Sequence, residues 1–277
     1  MIPNFLYIGT SKAGSTWIYN LLNHHPDVYL APGKGLYFFD GHFQRGWSWY
    51  LSHFQAAGDR KVIGEISHSY LFSPEACARI FDSNPEMRLM ACVREPVERS
   101  FSAYLDGVKN GQIHTGFEEA LRDVPSLVDR GRYATHLRRY VERFGRQNIH
   151  VAVFDELGSD PRSFAARLFA FLEVEPIELS PRLTGKIMPA ARPRSRRLVK
   201  LAKGMSRVAK RLGQRRLRGR IKRSRLIRNL LYRQFTHEDR PTMEPQTRRM
   251  LQERFREEVY GLDALIGTDC ATLWDYR

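Results

Sequence analysis

The chain has 277 residues, of which 42% are hydrophobic and 12% aromatic. This length and composition suit one sizeable α/β domain and exclude an intrinsically disordered chain. The 45 lysines and arginines outnumber the 30 acidic residues, but 19 of them lie in 186–233, a segment without acidic residues. We therefore expect a mildly acidic body that carries one very basic segment.

The cysteines and the amino terminus indicate the compartment. Cys77, Cys92 and Cys270 form neither a CxxC nor a zinc-ligand spacing, so we expect a reducing compartment and no structural metal. The first residues lack the regions of a signal peptide, and no run of about 20 apolar residues is present. The sequence predicts a cytoplasmic protein that does not span a membrane.

Apolar runs alternate with helical patterns along the chain, which predicts an α/β fold with a central, mostly parallel sheet and flanking helices. The predicted strands are Phe5–Gly9, Lys61–Ser67, Met87–Val93 and Ile149–Phe154. The predicted helices are Ser15–His24, Pro74–Asp82, Glu95–Lys109, Tyr133–Phe144, Pro161–Leu172, Arg196–Leu212 and Thr247–Ile266. We predict a single domain over 1–277, with an α/β core over 1–185 and a basic, mostly helical portion over 186–277.

The most informative stretch joins the first strand to the first helix and reads FLYIGTSKAGSTW over 5–17. Such a loop aims backbone N–H groups and the helix dipole at one point, which suits a phosphate. Gly14 permits close approach of an anion, Ser15 and Thr16 add hydroxyls, and Lys12 adds a positive charge. We predict a P-loop-type architecture. The loop is not a Walker A motif, however, because that motif requires Lys directly after the second Gly, where this chain has Ser15. The other interpretation is a tight turn with an incidental lysine.

A second candidate anion site follows the strand that ends at Val93, in the sequence REPVERSFSAY. Arg94 is expected at the carboxyl edge of the sheet, where parallel α/β folds bind ligands. Ser102 lies eight residues further, about two helical turns along. A guanidinium and a hydroxyl can bind one oxyanion together. The other interpretation is a strand-end arginine in a surface ion pair.

These two segments resemble the sulfotransferase family. SKAGSTW is similar to the family's 5′-phosphosulfate loop, typically PKSGTTW, and the segment from Arg94 to Tyr104 is similar to its 3′-phosphate signature. GRYATHLRRY is similar to the family's GxYxxHxxxW helix. The resemblance implies binding of 3′-phosphoadenosine-5′-phosphosulfate (PAPS), without a required metal. The implied contacts are Lys12, Ala13, Gly14, Ser15 and Thr16 at the 5′-phosphosulfate, Trp17 and Tyr133 at the adenine, and Arg94 and Ser102 at the 3′-phosphate.

The residue that takes the acceptor's proton is left open. Lys12 is expected to stabilise the leaving group, which makes it catalytic as well as binding. Heparan-type sulfotransferases use Glu in a KExxFF-like segment, but this chain reads KGLYFFD with Gly35 at that position. Cytosolic members carry KTH, and the corresponding ISH places His68 at the catalytic position. Its ordinary pKa suits a base near neutral pH, although a purely structural histidine is the other interpretation. Asp40 and Glu65 are the remaining candidates, with Glu65 expected on the opposite strand face from His68.

The acceptor and the basic segment have several interpretations. The aromatic-rich stretch 37–50 suits a carbohydrate, a glycolipid or a small natural product, unless its aromatic rings form core. We expect a hydroxyl rather than an amine as the acceptor group. The segment 186–233 is a solvated helical face, a cap that places Arg192 or Arg194 on the 3′-phosphate, or an attractor of an anionic acceptor, membrane or nucleic acid. No aromatic residue interrupts it before Tyr232, so no specific nucleic-acid binding is expected.

The sequence thus predicts a bacterial PAPS-dependent sulfotransferase that works by in-line displacement and releases 3′-phosphoadenosine-5′-phosphate (PAP). One alternative is a P-loop small-molecule kinase, which would need the absent Walker lysine. Another is a non-catalytic basic protein that binds nucleic acid or a membrane, and the ordered pair of phosphate sites argues against it. The oligomeric state is not predicted.

Overall fold

The structure, a computed structural model, describes residues 2–184, 191–193, 232–234 and 241–277. They belong to two compact units. The first comprises Met1–Arg99, Val128–Ile187 and Arg249–Arg277, and the second comprises Ser100–Leu127 and Met188–Arg248. The predicted helix over 196–212 lies outside the described residues. The single domain divided at residue 185 stays a prediction.

The described elements follow the predicted alternation of strands and helices. The strands are β1 (Phe5–Gly9), β2 (Val28–Leu30), β3 (Val62–Ile66), β4 (Arg88–Val93), β5 (Ile149–Val153), β6 (Ala191–Pro193) and β7 (Tyr232–Gln234). The helices are α1 (Ser15–Asn23), α2 (Phe38–Gly41), α3 (Gly46–Leu51), α4 (Pro74–Ser83), α5 (Pro96–Lys109), α6 (Phe117–Asp123), α7 (Ser126–Asp129), α8 (Tyr133–Phe144), α9 (Phe154–Ser159), α10 (Pro161–Leu172), α11 (Pro181–Thr184), α12 (Pro245–Ile266) and α13 (Cys270–Leu273). Short 3₁₀ turns lie at Phe43–Arg45, Tyr70–Phe72 and Arg146–Asn148.

Five strands of the first unit form one sheet in the order β2-β3-β1-β4-β5, and every neighbouring pair is parallel. The predicted parallel sheet is thereby confirmed. Strand β1 is central, between β3 and β4, so the carboxyl ends of these three strands meet at one edge of the sheet. Thr10, Ser67 and Arg94 follow them there. This edge is where both candidate phosphate segments were expected.

The core explains why the strands read as nearly continuous apolar runs. All five residues of β1 are buried, because helices cover the sheet on both faces. Phe5 and Tyr7 pack in one cluster with Leu21 of α1 and Phe164 of α10. Leu6, which alternates with them, is fully buried on the opposite face. Burial of each such side chain stabilises the fold by about 1.5–3 kcal/mol.

Helix α12 confirms the helix predicted over Thr247–Ile266. Its buried residues Leu251, Phe255, Val259 and Leu262 recur every three or four positions and form a single apolar stripe. The helix ends at Ile266, and the following Gly267 has a φ of 71°, in the left-handed region that glycine favours after a helix. No helix among the described residues has the length and hydropathy needed to cross a bilayer.

The second unit contains a small aromatic cluster and a small sheet. The ring of Phe117 on α6 lies 5.0 Å from that of Phe101 and 5.2 Å from that of Tyr104, both on α5. Strands β6 and β7 pair in antiparallel orientation, with Ala191 opposite Gln234. These strands were not predicted: the basic portion was expected to be mostly helical, and three-residue strands give almost no periodic signal.

Candidate active site

The predicted phosphate loop lies between the end of β1 at Gly9 and the start of α1 at Ser15. Lys12 and Gly14 adopt left-handed φ values of 73° and 79°. A Cβ at Gly14 would lie 2.9 Å from Leu157 Cδ2 and 3.2 Å from the Phe154 ring, so glycine is required there on both counts. Ala13 beside it is fully buried. Helix α1 begins without a side-chain cap in this described stretch, which leaves its first N–H groups for water or an anion.

Lys34, a residue without a predicted role, lies beside this loop. The Nζ atom of Lys34 donates hydrogen bonds to Thr16 Oγ1 at 2.6 Å and to Ser15 Oγ at 3.3 Å. Lys34 is exposed, and Ser15 and Thr16 form the first turn of α1. Its ammonium therefore adds positive charge at the helix terminus where the dipole already favours an anion. The position of Lys34 at the start of the KGLYFF segment is the sequence feature that could have identified it as a site residue.

Arg94 lies next to the loop that carries Lys12. Its Nη1 is 3.5 Å from the carbonyl oxygen of Lys12, and its guanidinium lies 5.2 Å from the centre of the Phe154 ring. Nη2 pairs with Glu98 at 3.5 Å, and the Arg94 side chain is 24% exposed. The structure thus brings together the two predicted anion sites, Lys12 and Arg94, at one edge of the sheet.

Buried hydrogen bonds fix the backbone on which Arg94 stands. The Tyr133 hydroxyl donates to the Arg94 carbonyl at 2.8 Å. The next carboxylate, Glu95, accepts from the N–H groups of Val97 at 3.0 Å and Glu98 at 2.6 Å, and so caps α5. Glu95 also accepts from the Tyr276 hydroxyl at 2.6 Å. Tyr133 is 1% exposed, and its predicted contact with adenine stays a prediction.

The other predicted cofactor residues lie in three different settings. Trp17 is 9% exposed, donates from Nε1 to the Leu183 carbonyl at 2.8 Å and meets the Phe164 ring edge-on. Its stacking on adenine stays a prediction. Ser102 belongs to the second unit, where it is half-buried on α5. Arg194 lies outside the described residues.

His68 lies in the turn after β3, outside the strand. Because β3 ends at Ile66, the alternation of strand faces does not apply to His68, and its expected orientation relative to Glu65 stays a prediction. His68 Nε2 lies 2.6 Å from the Tyr37 hydroxyl, while Nδ1 is buried without a hydrogen-bond partner among the described residues. Burial, followed by the positive charges of Lys34 and Arg130, lowers the pKa of His68 to about 4.

Glu65 is buried inside a cluster of hydroxyl groups. It is 1% exposed and accepts hydrogen bonds from Ser67 at 2.6 Å, Tyr70 at 2.6 Å and Tyr50 at 3.2 Å. Burial raises the pKa of Glu65 to about 7, although these hydrogen bonds act in the opposite direction. Its hydrogen bonds with Ser67 and Tyr70 connect Glu65 to both sides of the turn that carries His68, so Glu65 supports this turn.

The third base candidate, Asp40, lies on α2 beside buried aromatic rings. Asp40 accepts a short hydrogen bond from Ser69, and its Oδ1 is buried without a partner in the described chain. Phe38 and Phe39 are fully buried, so these rings form core, whereas Trp47 is 39% exposed. Within the described ranges, no three His, Cys, Asp or Glu side chains come together as a metal site.

A loop that joins the central strand of a parallel sheet to a helix, with an arginine at the end of the neighbouring strand, is the arrangement of an α/β protein with a P-loop-type fold. The family model described as the sulfotransferase domain matches residues 3–263, and the chain belongs to this family. A solved sulfotransferase from Alicyclobacillus acidocaldarius has the same fold, with a TM-score of 0.72, 24% identity and coverage of 99% of both chains.

Two curated relatives indicate the breadth of the family. Human heparan sulfate glucosamine 3-O-sulfotransferase 6 is 32% identical over 178 residues, which are 61% of this chain and 52% of the relative. The membrane-associated sulfotransferase kil1 of Dictyostelium discoideum is 30% identical over 137 residues, or 46% of this chain and 29% of the relative. The chain thus spans about half the length, or less, of these relatives.

Proposed function

We propose that the protein transfers the sulfuryl group of PAPS to a hydroxyl of a carbohydrate, glycolipid or small-molecule acceptor and releases PAP. The observation that carries this proposal is the contact between Arg94 and the backbone of Lys12. A nucleotide that carries phosphate on both its 5′ and 3′ positions needs two cationic sites within its own length. ATP offers no 3′-phosphate, so the second site favours a bisphosphate.

The residues present fit the 5′ end of such a nucleotide. The uncapped start of α1 offers backbone N–H groups, and Gly14 has the left-handed φ of 79° that the turn into the helix requires. Lys12 and Lys34 supply positive charge, and Thr16 supplies a hydroxyl. At the other end Arg94 would bind the 3′-phosphate, with Ser102 and Arg194 as further predicted contacts.

PAPS supplies an activated sulfuryl group whose leaving phosphate becomes more negative as the bond to sulfur breaks. Positive groups that are already in place stabilise that charge without reorganisation, and this is the role we assign to Lys12 and Lys34. The same groups orient the sulfur for attack from the opposite side. His68 remains the proposed proton acceptor, because it stands at the sheet edge close enough to Lys34 for that charge to lower its pKa.

The acceptor class is supported by the relatives. Several are named for transfer to heparan sulfate glucosamine, so a carbohydrate hydroxyl is the first acceptor to test. Because Phe38 and Phe39 are fully buried, the aromatic-rich stretch 37–50 gives little independent support for a carbohydrate, glycolipid or small-molecule acceptor. The cytoplasmic location and the contact of 186–233 with an anionic membrane stay predictions.

Calorimetric titration with PAP, AMP, ADP and ATP, each without magnesium, tests the proposal. We expect PAP to bind at least about 10-fold more tightly than the other nucleotides, because one additional charge-assisted contact contributes 1.5–3 kcal/mol. Radiolabelled PAPS is then incubated with heparan sulfate and with small hydroxyl compounds. Equal affinity for ATP and PAP, or tighter ATP binding with magnesium, would contradict the proposal and favour a kinase.

A further inference from the structure

The segment that lacks the expected glutamate is filled by a tyrosine. Gly35 has a φ of 82°, and a Cβ built on it would lie 2.5 Å from Cε2 and 2.8 Å from Cζ of Tyr37. Both distances are shorter than any normal carbon–carbon contact, so a side chain at residue 35 and the Tyr37 ring exclude each other. The tyrosine ring therefore lies where a carboxylate-bearing side chain would have to start.

The position of Tyr37 is fixed by the buried cluster beneath it. Its backbone adopts a left-handed φ of 51°, which is uncommon for a bulky residue. The Tyr37 N–H donates to Ser67 Oγ at 3.0 Å, and the Ser67 hydroxyl donates to buried Glu65 at 2.6 Å. A strained conformation that is held by a hydrogen-bonded chain of this kind is typical of functional sites.

The hydroxyl end of Tyr37 meets His68. The 2.6 Å separation between Tyr37 Oη and His68 Nε2 falls in the range of hydroxyl donors and is shorter than usual for an N–H donor. We therefore assign the proton to the phenol, so that Nε2 accepts. Nδ1 then carries the ring proton, and it is buried without a hydrogen-bond partner among the described residues. Tyr37 and His68 are both half-buried, so the pair is partly open to solvent.

We propose that Tyr37 is a further catalytic residue, which takes the proton of the acceptor hydroxyl at Oη while it passes its own proton to Nε2 of His68. This rests on the proposed sulfotransferase function. The acceptor oxygen forms a bond to sulfur, and the bond between sulfur and the 5′-phosphate oxygen breaks, with its electron pair leaving on the phosphate. One proton moves from the acceptor to Tyr37 and another from Tyr37 to His68, so the imidazole ends as imidazolium and later returns its proton to water.

The surrounding charges make this relay depend on the nucleotide. Lys34 and Arg130 disfavour the imidazolium, while Asp40 favours it. Because Lys34 Nζ lies at Thr16 Oγ1, an anion bound at the phosphate loop offsets the charge of Lys34. The relay is therefore poor in the free protein and improves when the anionic donor is bound.

Nitrogen NMR of His68 tests the hydrogen bond without an acceptor. In the wild-type protein at neutral pH we expect the tautomer with the proton on Nδ1, and we expect PAP to raise the pKa of the His68 imidazole. The variant Tyr37→Phe keeps the ring but removes the donor, so it should shift the Nε2 resonance. The matched control Tyr29→Phe removes a hydroxyl bonded to the His53 carbonyl and should leave it unchanged. A proton on Nε2 in the wild type would overturn the relay.

Turnover, followed as PAP release from PAPS with heparan sulfate as the acceptor probe, gives the second readout. We expect Tyr37→Phe to lower it by about 10²-fold with PAP affinity unchanged, and Tyr37→Phe/His68→Ala to be no slower than His68→Ala. Tyr29→Phe should match the wild type. A wild type that releases no PAP contradicts the proposed function and the relay with it. A wild type and a Tyr37→Phe variant with similar rates contradict the relay alone.

Discussion

Replacing Glu65 by glutamine should change how the stability of the protein depends on pH. Glu65 is 1% exposed, and burial raises its pKa to about 7 from the ordinary value of 4.5. Between these values the folded protein retains a proton that the unfolded chain has released. The contribution of protonated Glu65 to the free energy of unfolding is therefore fully present below about pH 4.5 and is lost as the pH rises through 7.

The size of the effect follows from the two pKa values. Each unit of difference corresponds to about 1.4 kcal/mol, so the full interval is worth about 3 kcal/mol. Between pH 5 and pH 7, where both states titrate only partly, about 2 kcal/mol is lost. Glutamine is close in shape to the protonated acid and can keep the hydrogen bonds with Tyr50 and Tyr70, but it does not titrate.

Urea unfolding of wild type and Glu65→Gln at pH 5 and pH 7 measures this effect. His68 acts in the opposite direction, because its lowered pKa removes stability as the pH falls from about 6.5 towards 4. That contribution is present in both proteins and cancels in the comparison. We expect the free energy of unfolding of the wild type, relative to the variant, to fall by about 2 kcal/mol on going from pH 5 to pH 7. Parallel pH dependences would show that Glu65 is ionised in the fold.

Three further substitutions have defined outcomes. Gly14→Ala should weaken PAP binding by about 10-fold or more in calorimetry, because the left-handed backbone and the contact with Leu157 both oppose a side chain; unchanged binding would remove the loop from the site. His68→Ala should lower turnover by about 10²-fold with PAP affinity unchanged, and a normal rate would remove His68 from the mechanism. Tyr276→Phe should cost about 2 kcal/mol in urea unfolding by taking a donor from Glu95, and a cost near zero would show that water replaces it.

The sheet was largely predictable because its strands are buried on both faces and read as apolar runs. Observed β4 begins one residue after the prediction, and α8 has the predicted limits. Strand β2 was missed, since its residues Val28–Leu30 are too few to show a period. The pairing of β6 with β7 was missed for the same reason.

The site residues could be predicted from the sequence only where their polar or charged side chains come soon after the end of a strand. Lys12 and Arg94 stand at the ends of β1 and β4, so their meeting follows from parallel topology. Lys34 and Tyr37 lie in an irregular segment, and their contacts with Thr16 and His68 join residues 18 and 31 positions apart. Such contacts are set by packing, to which spacing along the chain gives no guide.

The claim that two cationic sites bind opposite ends of one nucleotide is tested most directly by titrating PAP and AMP into wild type, Arg94→Ala and Lys12→Ala without magnesium. Wild type should prefer PAP by about 10- to 100-fold, as expected for one charge-assisted phosphate contact. Arg94→Ala should lose most of that preference while it still binds AMP, and Lys12→Ala should weaken both nucleotides. An Arg94→Ala protein that still distinguishes PAP from AMP as well as the wild type does would contradict the assignment.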